Sequence, residues 1–382
     1  MKKTLWLVSW YPNRLDGFDG DFIKRHATAA ALYCKVHVIY VKKDEGLKPG
    51  TSVTKNFESD NLSEEIIYYN AYRLGVGLID KILSNHYYKK HFSKAIKKYI
   101  HQSGRPSLVH VHVAMKAGLA ALWIKKKLNI PFIITEHWTG YHKQSRPSVY
   151  DYNPVIQKLN KKIFRAADML LPVSIDLGKT INEFLPGLPY HVIPNVVDTA
   201  LFRYKPYASP KFRFIHISYM NFQKNPEGIF SAAKILKGRG YDFEILMLGN
   251  ENKSLTASAN KHGLQPQTVI FKKAVPYVQV ASLMQTSSAL LLFSRFENLP
   301  CVLIEALCCG LPIISTNVGG IAEVINSENG ILVESENIQS LAGAMQKMMD
   351  NYSNFNQEKI CAEASARFNY EKVGRQIADL YL

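Results

Sequence analysis

Residues Ser294 to Glu323 read SRFENLPCVLIEALCCGLPIISTNVGGIAE, a strand end, an acidic loop, a helix and a glycine turn in that order. The apolar run Ala289 to Phe293 stops where this stretch begins, as a buried parallel strand does at its carboxyl end. In an open α/β sheet such strand ends carry the ligand. Pro300 stands where a helix can begin, a position that does not need the N–H that proline lacks. Gly310 ends that helix, Pro312 opens strand Ile313 to Thr316, and Gly319-Gly320 starts a further turn and helix. Two helix N-termini are therefore expected at the same strand ends, where free amides and helix dipoles favour phosphate. Seven residues separate Glu297 in the loop from Glu305 in the helix, a span of roughly two turns. Both carboxylates only accept hydrogen bonds, which suits sugar hydroxyls. Taken alone, two acids near a helix start would serve the helix dipole.

At 382 residues the chain exceeds what one core usually serves, and two domains are expected. No apolar run reaches the ~20 residues that span a bilayer. The start, MKKTLWLVSWYPN, is too short in its apolar part for a signal peptide and breaks at Tyr11-Pro12-Asn13. Thr4 to Ser9 is read as a first strand, and the protein as cytoplasmic. The five cysteines show no metal-ligand spacing, and Cys308-Cys309 read as buried fillers in a reducing compartment.

A formal charge of +16 favours anionic partners. From Lys81 to Thr135 there is no acid, and Lys89, Lys90, Lys94, Lys97 and Lys98 crowd one helix. That helix also carries Tyr88, Phe92, Ala95 and Tyr99 at spacings of three and four. Such a helix either packs its apolar stripe on a sheet or lies on an anionic membrane. No nucleic-acid-binding module accompanies the charge, so nucleic acid is not expected.

Strand and helix alternate along both halves, which predicts parallel, doubly wound sheets. The first strand runs into a polar loop, Tyr11 to Asp21, before a helix from Phe22 to Leu32 and strand Val36–Val41. Gly20 allows close backbone approach there, but the G-x-G-x-x-G spacing is absent. Asp19-Gly20-Asp21 matches a D-x-D metal pattern only formally. Asp44 to Asn61 reads as an irregular excursion. Strand Phe132–Thr135 ends in Glu136-His137-Trp138-Thr139-Gly140, which places His137 for a cleft. His110 and His112 share one strand face, and without further ligands no metal site follows. Strand His191–Ile193 leads to Pro194-Asn195-Val196-Val197-Asp198, where the first domain ends, and a second series begins with strand Phe212–Ser218.

Ser294, Glu297, Pro300, Glu305, Gly310-x-Pro312 and Gly319-Gly320, in this order, resemble the nucleotide-sugar site of family 4 retaining glycosyltransferases. The resemblance covers the whole chain and is most specific in its second half. It implies the α/β GT-B architecture, two Rossmann-like, doubly wound domains facing a cleft. Residues 1–193 would form the acceptor side and 194–368 the donor side, with 369–382 crossing back to the first domain. The implied donor is a UDP- or GDP-linked sugar, with no further cofactor and no metal. Glu305 would then hold the ribose hydroxyls, and Lys224 with the amides near Leu299 and Pro300 the diphosphate. Glu297 and His137, the latter from a T-x-H segment, would meet the sugar. Gly20 would face the diphosphate from the first domain, Asn298 would shape the pocket wall, and Lys272 to Tyr277 would meet the base. The basic helix, rather than the resemblance, points to a saccharide or lipid-linked saccharide acceptor, as in surface-polysaccharide synthesis, with peripheral contact to an anionic membrane.

Three departures stand out. The family's P-N-G-V-D has Val196 in place of glycine, Asn298 replaces the common glycine after Glu297 and so changes the pocket wall, and the G-R pair at the end of the first second-domain strand reads Ser218-Tyr219. A tyrosine cannot replace a guanidinium, so Arg295 or helix N-termini would have to compensate. The missing cation keeps open a non-catalytic partner subunit. A nucleotide-sugar epimerase of the same architecture would need acid and base groups that the chain does not display.

Overall fold

The computed structural model of the chain describes residues 1–207, 210–250, 253–264 and 266–381. The first series runs β1 (Lys3–Val8), α1 (Asp21–Ala31), β2 (Lys35–Lys43), β3 (Ser52–Ser59), β4 (Leu62–Tyr69) and α2 (Gly77–Ser103). It continues with β5 (Leu108–His112), α3 (Ala117–Leu128), β6 (Phe132–Glu136), α4 (Pro154–Ala166), β7 (Met169–Pro172) and α5 (Ile175–Phe184). The second series opens with β8 (Phe212–Ser218), α6 (Pro226–Gly238), β9 (Phe243–Gly249), α7 (Lys253–Lys261), β10 (Val269–Lys273) and α8 (Tyr277–Gln285). Then come β11 (Ala289–Leu292), α9 (Cys301–Cys308), β12 (Ile313–Thr316), β13 (Gly330–Val333), α10 (Ile338–Asp350), α11 (Gln357–Phe368) and α12 (Tyr370–Asp379).

Two sheets result, ordered β3-β4-β2-β1-β5-β6-β7 and β10-β9-β8-β11-β12-β13. Every described pairing is parallel except β3 with β4. Helices cover both faces of the inner strands, so a run such as Ala289-Leu290-Leu291-Leu292 is buried throughout rather than alternating. The order of each sheet reverses between β1 and β5 or between β8 and β11, and loops leave the carboxyl ends there. Those reversals are where an α/β sheet opens a crevice.

The last helix returns to the first sheet. Val373 and Ile377 of α12 are buried in one apolar cluster with Trp6, Ala29 and Val36. Gly374 is required at this contact, because a Cβ there would lie 2.1 Å from the carbonyl oxygen of Ala29. Val197 N–H donates to Phe368 O at 2.8 Å and ties the interdomain connector to the start of that return. Leu382, the last residue of the returning segment, lies outside the described residues.

Three readings of local structure are corrected. Residues 44–61 are not an irregular excursion throughout, since β3 pairs antiparallel with β4 along its length. All of β3 is exposed at the sheet edge, so no alternation of apolar and polar residues marks it, and its strand conformation comes from the β4 template. The segment at 191–193 bonds to β7 through His191 N–H and Ile193 N–H but is extended chain beside the sheet rather than a strand. Gly319-Gly320 starts a short 3-10 turn over Gly319–Glu323, not a helix with a free N-terminus. Gly320 N–H is taken by Asn298 O at 2.8 Å, and a Cβ on Gly319 would lie 1.8 Å from Glu297 O. The two glycines therefore seat the loop, and the α9 N-terminus, with Cys301 and Val302, borders the cleft at these strand ends.

Two buried histidines also fasten the fold. His26 on α1 donates from Nε2 to Pro194 O at 2.9 Å, and His216 on β8 donates from Nδ1 to Leu291 O at 2.9 Å. Burial lowers both from 6.5 to about 4. Between those values the unfolded chain binds protons that the folded chain refuses, so this stabilisation is complete above pH 6.5 and is lost as pH falls towards 4. Urea unfolding at a series of pH values should show stability falling by at least about 1–3 kcal/mol per pH unit between pH 6 and 5, the share of these two histidines. Gly374→Ala should lower stability by about 1–3 kcal/mol through forced overpacking against α1, read by the same titration at pH 7.

Candidate active site

The carboxyl ends of both sheets face one cleft of about 520 Å³. From the first domain it is lined by the β1–α1 loop and by His137 after β6; from the second, by the ends of β8 and β9 and by the β11–α9 loop. Gly20, His137, Lys224, Glu297, Asn298, Leu299, Pro300 and Glu305 all border this cleft, so every site residue expected from the sequence is brought to it. Ala274, Val275 and Tyr277, from the segment expected to meet a base, border it too.

Glu297 is 3 % exposed and is held from two sides. Lys224 Nζ donates to its Oε1, and Gln223 Nε2 donates to its Oε2 at 3.2 Å. Lys224 and Gln223 sit on the 3-10 turn Phe222–Lys224, whose start is capped by the Asn221 side chain. A local turn thus delivers a cation and an amide to an acid 73 positions away from that cation.

Glu305 projects from α9 into the cleft wall and is 2 % exposed. Arg25 Nη1 of α1 donates to its Oε1 at 2.6 Å, and the Tyr277 hydroxyl donates to the same atom at 2.6 Å. Burial raises the Glu305 carboxyl above the usual carboxylate range, and the Arg25 guanidinium opposes that shift. Nothing local to α1 marks Arg25 in the sequence, because its partner lies 280 positions away.

The neighbouring loop is built from cross-cleft hydrogen bonds. Asn298 Nδ2 donates to His137 O at 2.7 Å, and Asn298 Oδ1 pairs with His142 Nε2 at 2.8 Å. Its side chain is therefore a clasp between the domains. Asn195 Nδ2 donates to Leu299 O at 2.7 Å. Pro300 is the N-cap of α9, with extended backbone that turns the chain into the helix. Gly20 has φ 66° and caps α1, and a Cβ there would lie 2.7–2.9 Å from Trp10. Close packing inside the first domain already demands this glycine.

His137 is 9 % exposed and its ring lies over Phe22. Its Nε2 meets His112 Nδ1 at 3.2 Å, and nitrogens of His26, His112 and His137 all fall within 4.8 Å of one another. The sequence does not signal His26 as a member of this group, because it comes from α1 and not from the β5 face that carries His110 and His112. Burial lowers all three imidazoles, so they are neutral near pH 7.

Two further candidates have partners within the protein. Arg295 donates from Nε to Glu336 at 3.0 Å and from Nη1 to Phe222 O, and its plane lies over the Phe222 ring. Asp19 of the formal D-x-D pattern accepts from Lys42 at 2.7 Å and Tyr40 at 2.9 Å, while Asp21 pairs with Arg25. Both acids are committed within the protein.

Comparison with known proteins places this geometry. The family model described as "Glycosyltransferase Family 4" matches residues 28–201, and the one described as "Glycosyl transferases group 1" matches residues 200–368. Glycogen synthase of Mycobacterium tuberculosis is 23 % identical over 98 % of this chain and 94 % of its own length. The glycosyltransferase TuaC of Bacillus subtilis, whose name assigns it to teichuronic acid biosynthesis, is 23 % identical over 90 % of this chain and 88 % of its own. Among solved structures, sucrose-phosphate synthase of Thermosynechococcus elongatus superposes with a TM-score of 0.80 at 19 % identity, covering 100 % of this chain and 98 % of that one. HepE of Anabaena, solved with UDP and glucose, superposes with a TM-score of 0.72 at 16 % identity, covering 100 % and 99 %. With the two family matches meeting near residue 200 and one fold shared along the whole chain, the chain belongs to family 4 of the glycosyltransferases, with the GT-B architecture.

Proposed function

We propose that this glycosyltransferase moves a sugar, with retention of configuration, from a UDP- or GDP-linked donor to a saccharide or lipid-linked saccharide. The observation that supports it is the convergence of Glu297–Lys224 and Glu305 with the open α9 N-terminus on one interdomain cleft. In this reading residues 1–193 with 369–382 form the acceptor side and residues 194–368 the donor side. Glu305 binds the ribose hydroxyls, as a buried acceptor-only group would. Lys224 and the first amides of α9 take the diphosphate, and Glu297 and His137 position the sugar. Gly20 lets the first-domain loop approach from the opposite wall. The bond from the anomeric carbon to the diphosphate oxygen breaks as the acceptor oxygen attacks the same face. The acceptor's proton passes to the departing phosphate oxygen. Lys224 and the helix amides stabilise the charge developing there, so no metal is required.

The lipid-linked acceptor is supported by a surface on the first domain. Of the two readings of the α2 stripe, packing on the sheet holds, since Phe92, Ala95 and Tyr99 are buried in the core and Tyr88 packs partly buried against it. Leu74, Val76, Leu78, Ile79 and Ile82 are exposed instead, at the start of α2, with Leu78 71 % accessible. Asp80 Oδ1 accepts the Leu74 N–H at 2.7 Å and folds this apolar segment over the first helical turn. Exposed Lys81, Lys89 and Lys90 follow it. An apolar wedge backed by cations suits an anionic bilayer surface. No described helix is long and apolar enough to cross a membrane.

Purified protein incubated with UDP- and GDP-sugars should release nucleoside diphosphate from one of them, with the rate unchanged by chelator and raised by a membrane lipid extract. Glu305→Ala should lower that rate at least about tenfold. NMR of the product should show the donor's anomeric configuration. Silence with every donor, and no donor binding by calorimetry, would leave the non-catalytic partner subunit in its place. In vesicle flotation, wild type should float with phosphatidylglycerol-containing liposomes and not with neutral ones, and Leu78→Ser/Ile82→Ser should stay at the bottom of the gradient.

A further inference from the structure

Cations are few around the cleft. Among the described residues that line it, the carboxylates are Asp16, Asp19, Asp21, Glu297 and Glu305, with Asp19 paired to Lys42 behind the wall, and the cations are Arg25 and Lys224. A diphosphate entering such a site must be met by those two cations or be repelled. Lys224 comes from the second domain, and Arg25 from the first. Tyr219 shares the cleft and is 56 % exposed, but its hydroxyl carries no charge to offer. Arg295 is turned away into its contacts with Glu336 and Phe222.

Arg25 is built to exchange partners. Its Nη1 lies on Glu305 and Tyr277, its Nη2 on Asp21 at 3.1 Å, and its buried Nε has no partner among the described residues. Glu305 is the carboxylate that the proposed function gives to the ribose. When hydroxyls take Glu305, the guanidinium keeps Asp21 on Nη2, but its buried Nε and the vacated side of Nη1 are left for a second anion. One furanose ring separates the 2′- and 3′-hydroxyls of a ribose from its 5′-phosphate, within the sweep of an arginine side chain. A guanidinium also offers the fork of donors that phosphate oxygens accept in pairs.

We propose that Arg25 is the second diphosphate-binding cation of this enzyme, supplied across the cleft by the first domain and released from Glu305 when the donor's ribose binds. This assignment rests on the reading of the cleft as a nucleoside diphosphate sugar site. It makes donor binding and the seating of the two domains one event, since the same side chain serves the interdomain ion pair without donor and the phosphate with it.

Calorimetry with UDP against uridine, and GDP against guanosine, tests the assignment in wild type, Arg25→Gln, Arg25→Lys, and Arg25→Gln/Tyr219→Arg. Arg25→Gln should weaken the bound nucleoside diphosphate about ten- to a hundredfold while changing the nucleoside by less than about threefold. Arg25→Lys should recover part of that loss, and adding Tyr219→Arg to Arg25→Gln should recover at least about tenfold by restoring a cation to the cleft. Equal loss for nucleoside and nucleoside diphosphate, together with a lowered melting temperature, would show a structural latch and overturn the assignment. Wild type that binds neither UDP nor GDP would overturn the proposed function and this assignment together.

Discussion

A carboxylate set in the wall of a cleft and almost closed to water must be paired, and Glu305 finds its cation on the other domain. The contact at 2.6 Å with Arg25 joins α1 to α9, and Tyr277 of α8 completes it. Removing either charge would strand its partner where water cannot solvate it, so the pair constrains how the two domains meet. Asn298 with His137 and His142, and Asn195 with Leu299, add neutral hydrogen bonds along the same seam. The cleft is thereby part of the interdomain contact rather than a pocket carved into one domain.

The same seam explains why several residues with site-like spelling serve the fold first. Gly319 and Gly320 press against the Glu297–Asn298 backbone and set the loop's height. Gly20 accommodates Trp10, and Asp19 anchors the first loop through Lys42 and Tyr40. A cleft between two rigid sheets needs loops held to a fraction of an ångström, and close backbone packing supplies that stiffness. In the proposed function chemistry is then left to few groups, chiefly Lys224 with Glu297, Glu305, and the first amides of α9.

Much of this is legible along the chain. Loop-helix punctuation by Pro300 and Gly310, the acids at 297 and 305, and the histidine after β6 are local patterns, and Pro300, both acids and His137 border the cleft. β3 is not legible because an edge strand exposed along its length shows no apolar alternation. The surface of α2 is legible only in part. Its central stripe packs on the sheet, while the apolar residues left in water precede it, where the helix starts beyond the sheet's cover. The roles of Arg25 and His26 carry no local signal, because their partners Glu305 and Pro194 lie 280 and 168 positions away.

Periodicity, punctuation and length determined the alternation of strands and helices, the division into two sheets, and the identity of the acids and the lysine at the second-domain strand ends, because each depends on residues within a few turns of one another. The tertiary structure alone decided which charges pair. Arg25 with Glu305 and Lys224 with Glu297 are separated by 280 and 73 positions, and only the way the chain folds back on itself brings each pair within hydrogen-bonding reach.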